Sequence, residues 1–391
     1  MVLIILTTHY PPPFSGASVR AWHLTKFISR LEYIDKILIV ELSRRTMLPM
    51  KFFNLESIFT ARDGILRLVR LAGINDLGCF LRGVKPQAVI ATNPPSIAIN
   101  IAVKLYSKTN VPIICDIQDV TDEYKISFSN KLYARLYRAH YSRLYKNLRK
   151  CSRVYTVTEA MAEIIKYKTN ISPYVAPNGT DPELYRDAYL KYRDKEPCKP
   201  YCTGVFVGSL DWEYQKIESI IKAIGLLKKK YDLRVRLKII GTGKFLGYYI
   251  RLAKQYNVTD LVKFYGYVPM SKLPYLVASS DFGIISRPSI RNTWIMSSIR
   301  MTIYDYLSAG LPILAYGPSY SYTKLFIIKN KLGLYIPSDK PEDIAESINE
   351  QISILLSINR EHCRNIAEKY SWEYTLSPII KYIKDIFENK F

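Results

Sequence analysis

Apolar residues along this chain come in short unbroken runs, separated by longer stretches with helical spacing. Val2–Thr7 is the first run, and Lys36–Leu42, Ala88–Thr92, Pro112–Ile117 and Arg153–Val157 continue the series. Short apolar runs without alternation are what parallel strands covered on both faces show. Between the first two runs, a turn-rich stretch at Pro11–Gly16 leads into helical spacing from Ala17 to about Ser29. A second series begins with Cys202–Val207. It passes through Arg236–Ile240, Val262–Tyr265, Phe282–Ile285 and Pro312–Ala315 to Leu334–Ile336. Strand and helix in alternation predict an α/β chain with two doubly wound parallel sheets. The stretch from about Tyr185 to Tyr201 is charged, holds Pro197 and Pro200, and reads as a linker. The expected domains are 1–190 and 198–370, with a last helix over Leu376–Glu388.

Composition narrows this picture. The chain has 391 residues, long enough for two domains. Its hydrophobic share of 48% supports a sizeable core and excludes wholesale disorder. The net charge of +22 implies an acidic partner or surface: nucleic acid, a sugar nucleotide or anionic lipid. The cysteines, Cys79, Cys115, Cys151, Cys198, Cys202 and Cys363, mostly lie in apolar or strand-like contexts. They are expected to be reduced, buried thiols of a cytoplasmic protein. Cys198 and Cys202 lack the second pair or nearby histidine that a zinc site needs. His9, His23, His140 and His362 show no paired spacing, so neither metal ligation nor a Ser-His-Asp site is supported. The opening MVLIIL is too short for a signal-peptide core and reads as a strand. No apolar run reaches the roughly 18–20 residues that span a bilayer, so membrane contact is expected to be peripheral.

Candidate chemistry gathers in the second half. Arg300–Gly317, RMTIYDYLSAGLPILAYG, reads as a helix carrying Asp305, a break at Gly310 and Pro312, and a short buried strand. The competing reading of Asp305 alone is a solvent-facing carboxylate near a helix end. Val207-Gly208-Ser209, with Lys216 soon after, and Gly241-Thr242-Gly243-Lys244 each follow a strand. That is where open parallel sheets place ligands. Glycines admit an anion close to backbone N–H groups, and lysine adds charge. The competing reading is that tight strand-to-helix turns need glycine anyway.

These segments together resemble the retaining family-4 glycosyltransferases, which are GT-B enzymes. The resemblance implies two Rossmann-like domains facing a central cleft, the last segment, 371–391, crossing back to complete the first. It covers nearly the whole chain and is strongest over 202–340 and 151–181. The two glycine loops resemble the family's "VG-basic-L…KG" and "IGxGP". Ser209 stands where a basic residue is usual, and Lys216 is offset by about one position. Val262–Val268 with Leu273, Leu276 and Asp281 resembles the family's "VxFxGxV", its helix and the Ala/Ser-Asp turn into a strand. There Gly266 and Tyr267 would approach the nucleotide base. Asp305 would be the acid that holds the ribose, since one carboxylate can accept a hydrogen bond from each of two neighbouring hydroxyls. Arg300 would supply charge to the diphosphate. Thr302 occupies the usual lysine position, and Ser297 the place of an upstream acid. Ser15 and Gly16 stand in the family's "PPxxGG" loop, where Gly16 matches the second glycine. In PIICDIQD, Pro112–Asp119, Gln118 takes a His/Arg place and Asp119 is the catalytic-side candidate, or else a helix N-cap. Val175–Asp181 resembles "PNGVD" before the hinge. No cofactor or metal is implied, because the nucleotide sugar is itself the donor.

Between Glu123 and Glu159 there is no acidic residue and nine Lys or Arg. Leu132, Leu136, Leu144 and Leu148 form one helical row, and Tyr133, Tyr137, Tyr141 and Tyr145 the adjoining one. Arg135, Arg138, Arg149 and Lys150 edge this face. Tyr137 and Tyr141 with these cations suit a lipid headgroup boundary or an acceptor. The alternative is that the Leu/Tyr face packs on the sheet. The function expected is transfer of a sugar to a lipid- or polyprenyl-linked acceptor or growing glycan, peripherally at the inner face of the cell membrane. The competing readings are a basic nucleic-acid-binding protein and a non-transferring relative such as a nucleotide-sugar epimerase. No nucleic-acid-binding module is recognisable, so nucleic acid is not the expected partner.

Overall fold

The computed structural model describes residues 1–8, 16–42, 52–54, 66–71, 84–93, 96–120, 131–196 and 201–388. The chain divides into two units: Met1–Asn178 with Trp372–Phe391, and Gly179–Ser371.

In the first unit, β1 (Val2–Thr7) pairs in parallel with β2 (Lys36–Leu42) and β5 (Ala88–Asn93). Next to β5 come β6 (Ile113–Ile117), β7 (Arg153–Thr156) and β8 (Tyr174–Val175), all parallel. On the other side, β4 (Leu66–Leu71) joins β2 in parallel, and β3 (Phe52–Asn54) adds an antiparallel edge. The order is β3-β4-β2-β1-β5-β6-β7-β8. β5 is buried at every position, as the apolar runs require of strands covered on both faces. The C-terminal helix Trp372–Glu388 belongs to this unit: Trp372 stacks on His23 at 4.9 Å and 16°. That burial pushes the His23 imidazole down to about 3.

The second unit has six parallel strands. They are β9 (Tyr201–Val207), β10 (Arg234–Ile240), β11 (Val262–Gly266), β12 (Phe282–Ser286), β13 (Ile313–Tyr316) and β14 (Gly333–Ile336). Their order is β11-β10-β9-β12-β13-β14. The sequence therefore crosses the sheet between β11 and β12, and the loops at the carboxyl ends of β9 and β12 become neighbours.

Several expectations are corrected. The charged stretch after Tyr185 is not wholly a linker: Pro182–Tyr192 is a helix, and Tyr185 and Ala188 are buried in the second unit's core. The boundary thus lies before this helix. β3 and β4 arise where the pattern predicts no element, because Leu66-Arg67-Leu68-Val69-Arg70-Leu71 interrupts its apolar run with arginines. Tyr141 is not on an outer face. It is buried with Leu144 and Leu148 against the sheet, which leaves Arg143, Lys146, Arg149 and Lys150 exposed. Cys115 and Cys151 are joined as a disulfide, whereas Cys202 and Cys363 are the buried free thiols expected. Ser15 and the side chains of Arg135, Tyr137 and Arg138 lie outside the described residues. No described helix is long and apolar enough to cross a membrane.

Candidate functional site

The carboxyl ends of the second unit's strands gather most of the predicted donor residues. The loops after β9 and β10 are zipped together by backbone: Gly208 N–H donates to Ile240 O at 3.0 Å, and Leu210 N–H to Thr242 O at 2.8 Å. A β-carbon on Gly241 would stand 1.9 Å from Gly208 O, and one on Gly243 2.3 Å from the Leu210 carbonyl carbon. These two glycines are thus required by the approach of one loop to the other, whether or not a phosphate binds. Asp211 clasps the pair. It accepts from Lys244 N–H and from the Ser209 hydroxyl, both at 2.8 Å, and these bonds hold its carboxyl below the usual range. Gly266 closes β11 by accepting from Gly241 N–H at 2.8 Å, and Tyr267 beside it is largely exposed.

Arg300 reaches into this loop cluster. Its guanidinium lies over the Phe206 ring at 5.3 Å, and its Nη1 donates to Gln215 Oε1. Gln215 is buried and donates from Nε2 to Ser209 O at 3.1 Å, so it couples Arg300 to the loop. No carboxylate of a described residue pairs with Arg300, and burial lowers its pKa. A desolvated cation without a counter-charge is costly, and an anion held nearby offsets that cost.

Lys216 behaves differently from the expectation. It sits in the left-handed region at φ 49° and starts the helix Ile217–Lys230. Its Nζ lies 3.5 Å from Glu218 and 3.7 Å from Asp339, so its charge is already answered by carboxylates rather than standing open for phosphate. Its carbonyl accepts from the Tyr316 hydroxyl at 2.7 Å.

Asp305 lies in the helix Thr302–Ser308, which begins with Thr302. Its Oδ1 accepts from the Thr180 hydroxyl at 2.8 Å, and burial raises its carboxyl to about 6. The next residue, Tyr306, lies under the sheet, and its hydroxyl accepts from Val207 N–H at 2.8 Å. Thus one turn of helix aims Tyr306 at the end of β9 and Asp305 at Thr180. Ser297 is buried at the end of a short helix, Thr293–Ser297, which the sequence pattern did not predict.

In the first unit, Asp119 follows β6, and its backbone carbonyl accepts from Asn93 Nδ2 at 2.7 Å. Gln118 is buried and donates to Asp116 Oδ2 at 3.2 Å. Asp116 in turn makes a bidentate pair with Arg20, at 2.8 and 2.9 Å. Gly16 opens the helix Gly16–Ile28 that carries Arg20. Sequence reasoning passed over Arg20, Gln215, Arg287 and the aromatic residues around them. Arg20 and Arg287 stand in stretches whose spacing announces only a helix and a strand end.

Residues 195–370 match the family Glycosyl transferases group 1. No curated protein matches the sequence. Among solved structures, the chain is similar to sucrose-phosphate synthase (tll1590) from Thermosynechococcus elongatus. The identity is 13%, the TM-score 0.76, and the coverage 100% of both chains. It is also similar to Alr3699/HepE of Anabaena, solved in complex with UDP-glucose, at 13% identity and TM-score 0.69, over 98% of this chain and 100% of that one. A third is WaaG, a glycosyltransferase involved in lipopolysaccharide biosynthesis, at 16% identity and TM-score 0.66, covering 97% and 99%. Most of the second unit thus matches the group 1 glycosyltransferase model, and the likeness to the solved structures shows a GT-B fold for the chain.

Proposed function

We propose that the second unit holds a nucleoside diphosphate sugar, and that the enzyme transfers the sugar with retention of anomeric configuration. The observation that carries the donor reading is Arg300, a partly buried guanidinium beside Gly208 and Gln215 with no carboxylate partner among the described residues. A diphosphate supplies the missing charge, and guanidinium suits it by its planar donor fork. Asp305 holds the ribose through the oxygen that Thr180 leaves unengaged, and Gly266 and Tyr267 flank the base. Ser209 Oγ and Lys244 line the phosphate loops. Thr302, in the first turn of the helix that carries Asp305, completes the donor set. No cofactor enters this scheme, so turnover is expected to persist in EDTA.

Retention accords with the family's chemistry, in which the leaving phosphate helps to deprotonate the acceptor, so a protein base is less essential. Asp119 is the acceptor-side group in this reading. The acceptor is a lipid- or polyprenyl-linked sugar or a growing glycan at the cytoplasmic face of the membrane. The exposed cations Arg143, Lys146, Arg149 and Lys150 support this, each contributing about 1 kcal/mol near an anionic surface.

The test is a thermal-shift panel of UDP-, GDP- and ADP-sugars on the wild type and on Asp305→Ala. One nucleotide series is expected to stabilise the wild type and to lose its effect in the variant. A wild type that none of the series stabilises, and that hydrolyses none of them, would overturn the reading.

A further inference from the structure

Next to the Arg300 cluster stands an aromatic wall that the donor reading does not use. Trp212 and Tyr214 lie in the loop after β9, and their rings stack at 5.8 Å and 20°. Tyr214 meets Trp294, in the segment after β12, edge to face at 5.2 Å and 83°. Arg287, buried at the carboxyl end of β12, lies 5.8 Å from the Tyr214 ring and 5.0 Å from Trp294. Its Nη2 donates to Ser298 Oγ at 3.3 Å, which ties the wall to the stretch leading into Arg300. The wall is therefore braced from behind, and Trp212 is its most open member, at 49% exposure, with Tyr214 and Trp294 partly buried. Tyr214 stacks on the indole, and the exposed part of Trp212 is open to a ligand.

Two features decide what that ligand is. The wall is continuous with the anion site, because Gln215, which accepts from Arg300, is three residues past Trp212 in the same loop. And Ser297, in the segment that would carry an acid to accept from sugar hydroxyls, is a buried serine followed by the anchor of Arg287. This corner thus offers an aromatic surface where the resembled family carries an acid. Aromatic faces are electron-rich and attract the polarised C–H groups on one face of a pyranose.

We propose that Trp212, braced by Tyr214, Trp294 and Arg287, is the subsite for the pyranose of the donor, which it takes by stacking on the ring's C–H face. This rests on the reading that the second unit binds a nucleoside diphosphate sugar. Stacking reads a face rather than single hydroxyls, so a deoxy or acetamido ring is accepted as well as a plain hexose.

The experiment compares UDP with UDP-glucose and UDP-N-acetylglucosamine, and GDP with GDP-mannose, by titration calorimetry on wild type, Trp212→Ala and Trp212→Phe. For the series that binds, the affinity ratio of sugar-bearing to sugar-free nucleotide is expected to fall about fivefold or more in Trp212→Ala. Affinity for the bare diphosphate is expected to hold, and Trp212→Phe to retain most of the ratio. An unchanged ratio in Trp212→Ala, with nucleotide still bound, overturns this inference and leaves the donor reading standing. An unchanged ratio with a raised acceptor KM assigns the wall to the acceptor and likewise overturns it. A wild type that binds none of these nucleotides removes the donor reading and this inference together.

Discussion

A β-carbon on Gly208 would come 2.8 Å from Nη2 of Arg300, so the glycine leaves the space the guanidinium fills. The loop after β9 and the segment after β12 meet at this contact. Gly208→Ala pushes the flexible end of Arg300 aside at little cost to the fold. It is expected to weaken nucleoside diphosphate binding, and Arg300→Met to weaken it by about 1.5–3 kcal/mol, the range for hydrogen bonds to charged groups. Calorimetric titration with the bound nucleotide checks both. Full affinity in Arg300→Met would remove this residue from the site.

Asp305 sets stability against binding. Its carboxyl is raised to about 6 by burial, whereas an unfolded aspartate titrates near 3.9. Below the unfolded value both states are protonated and burial of the group is not penalised. Between about 4 and 6 the folded state keeps a proton that the unfolded state releases, so stability falls as pH rises. Above 6 the cost is complete, on the order of 2–3 kcal/mol. Asp305→Asn is therefore expected to be more stable than wild type at pH 8 and to lose that advantage near pH 4, while its nucleotide affinity falls. Urea midpoints at the two pH values, with a binding titration at pH 8, measure both effects. A stability difference that does not change with pH would contradict the assignment.

The Arg20–Asp116 pair is buried in the first unit, and Arg20 Nη1 also donates to Pro177 O at 2.9 Å. Removing one partner strands the other. Asp116→Ala is expected to destabilise the protein by about 3–5 kcal/mol, and Arg20→Met with Asp116→Leu to recover much of the loss. Chemical denaturation followed by circular dichroism gives the comparison. A single variant within about 1 kcal/mol of wild type, on the order expected of surface pairs, would show that water reaches the pair.

Much of the architecture is written locally in the sequence. The runs at Val2–Thr7 and Ala88–Thr92 carry their strand signal locally, because a strand covered on both faces is apolar along most of its length. The loops at Gly208 and Gly241 are legible as short glycine motifs at strand ends, and Asp305 as the acid of a helix that Gly310 and Pro312 close before a strand. Pro182–Tyr192 was hidden by its charge, since only the burial of Tyr185 and Ala188 distinguishes it from a linker. Tyr141 lay in a helical row whose inner and outer faces the spacing alone could not tell apart.

The residues that surround the proposed donor were decided by distance in space. Gln215 and Arg300 are 85 positions apart, and Tyr214 and Trp294 are joined only because β9 and β12 lie side by side. Likewise Lys216 looked open to phosphate until Asp339 arrived from a distant turn to neutralise it. Local chemistry dictates which strands, turns and loops form, since it acts within a few bonds. Which charges remain unanswered, and which rings share a wall, depends on how the sheet orders its strands, and that is a property of the folded chain.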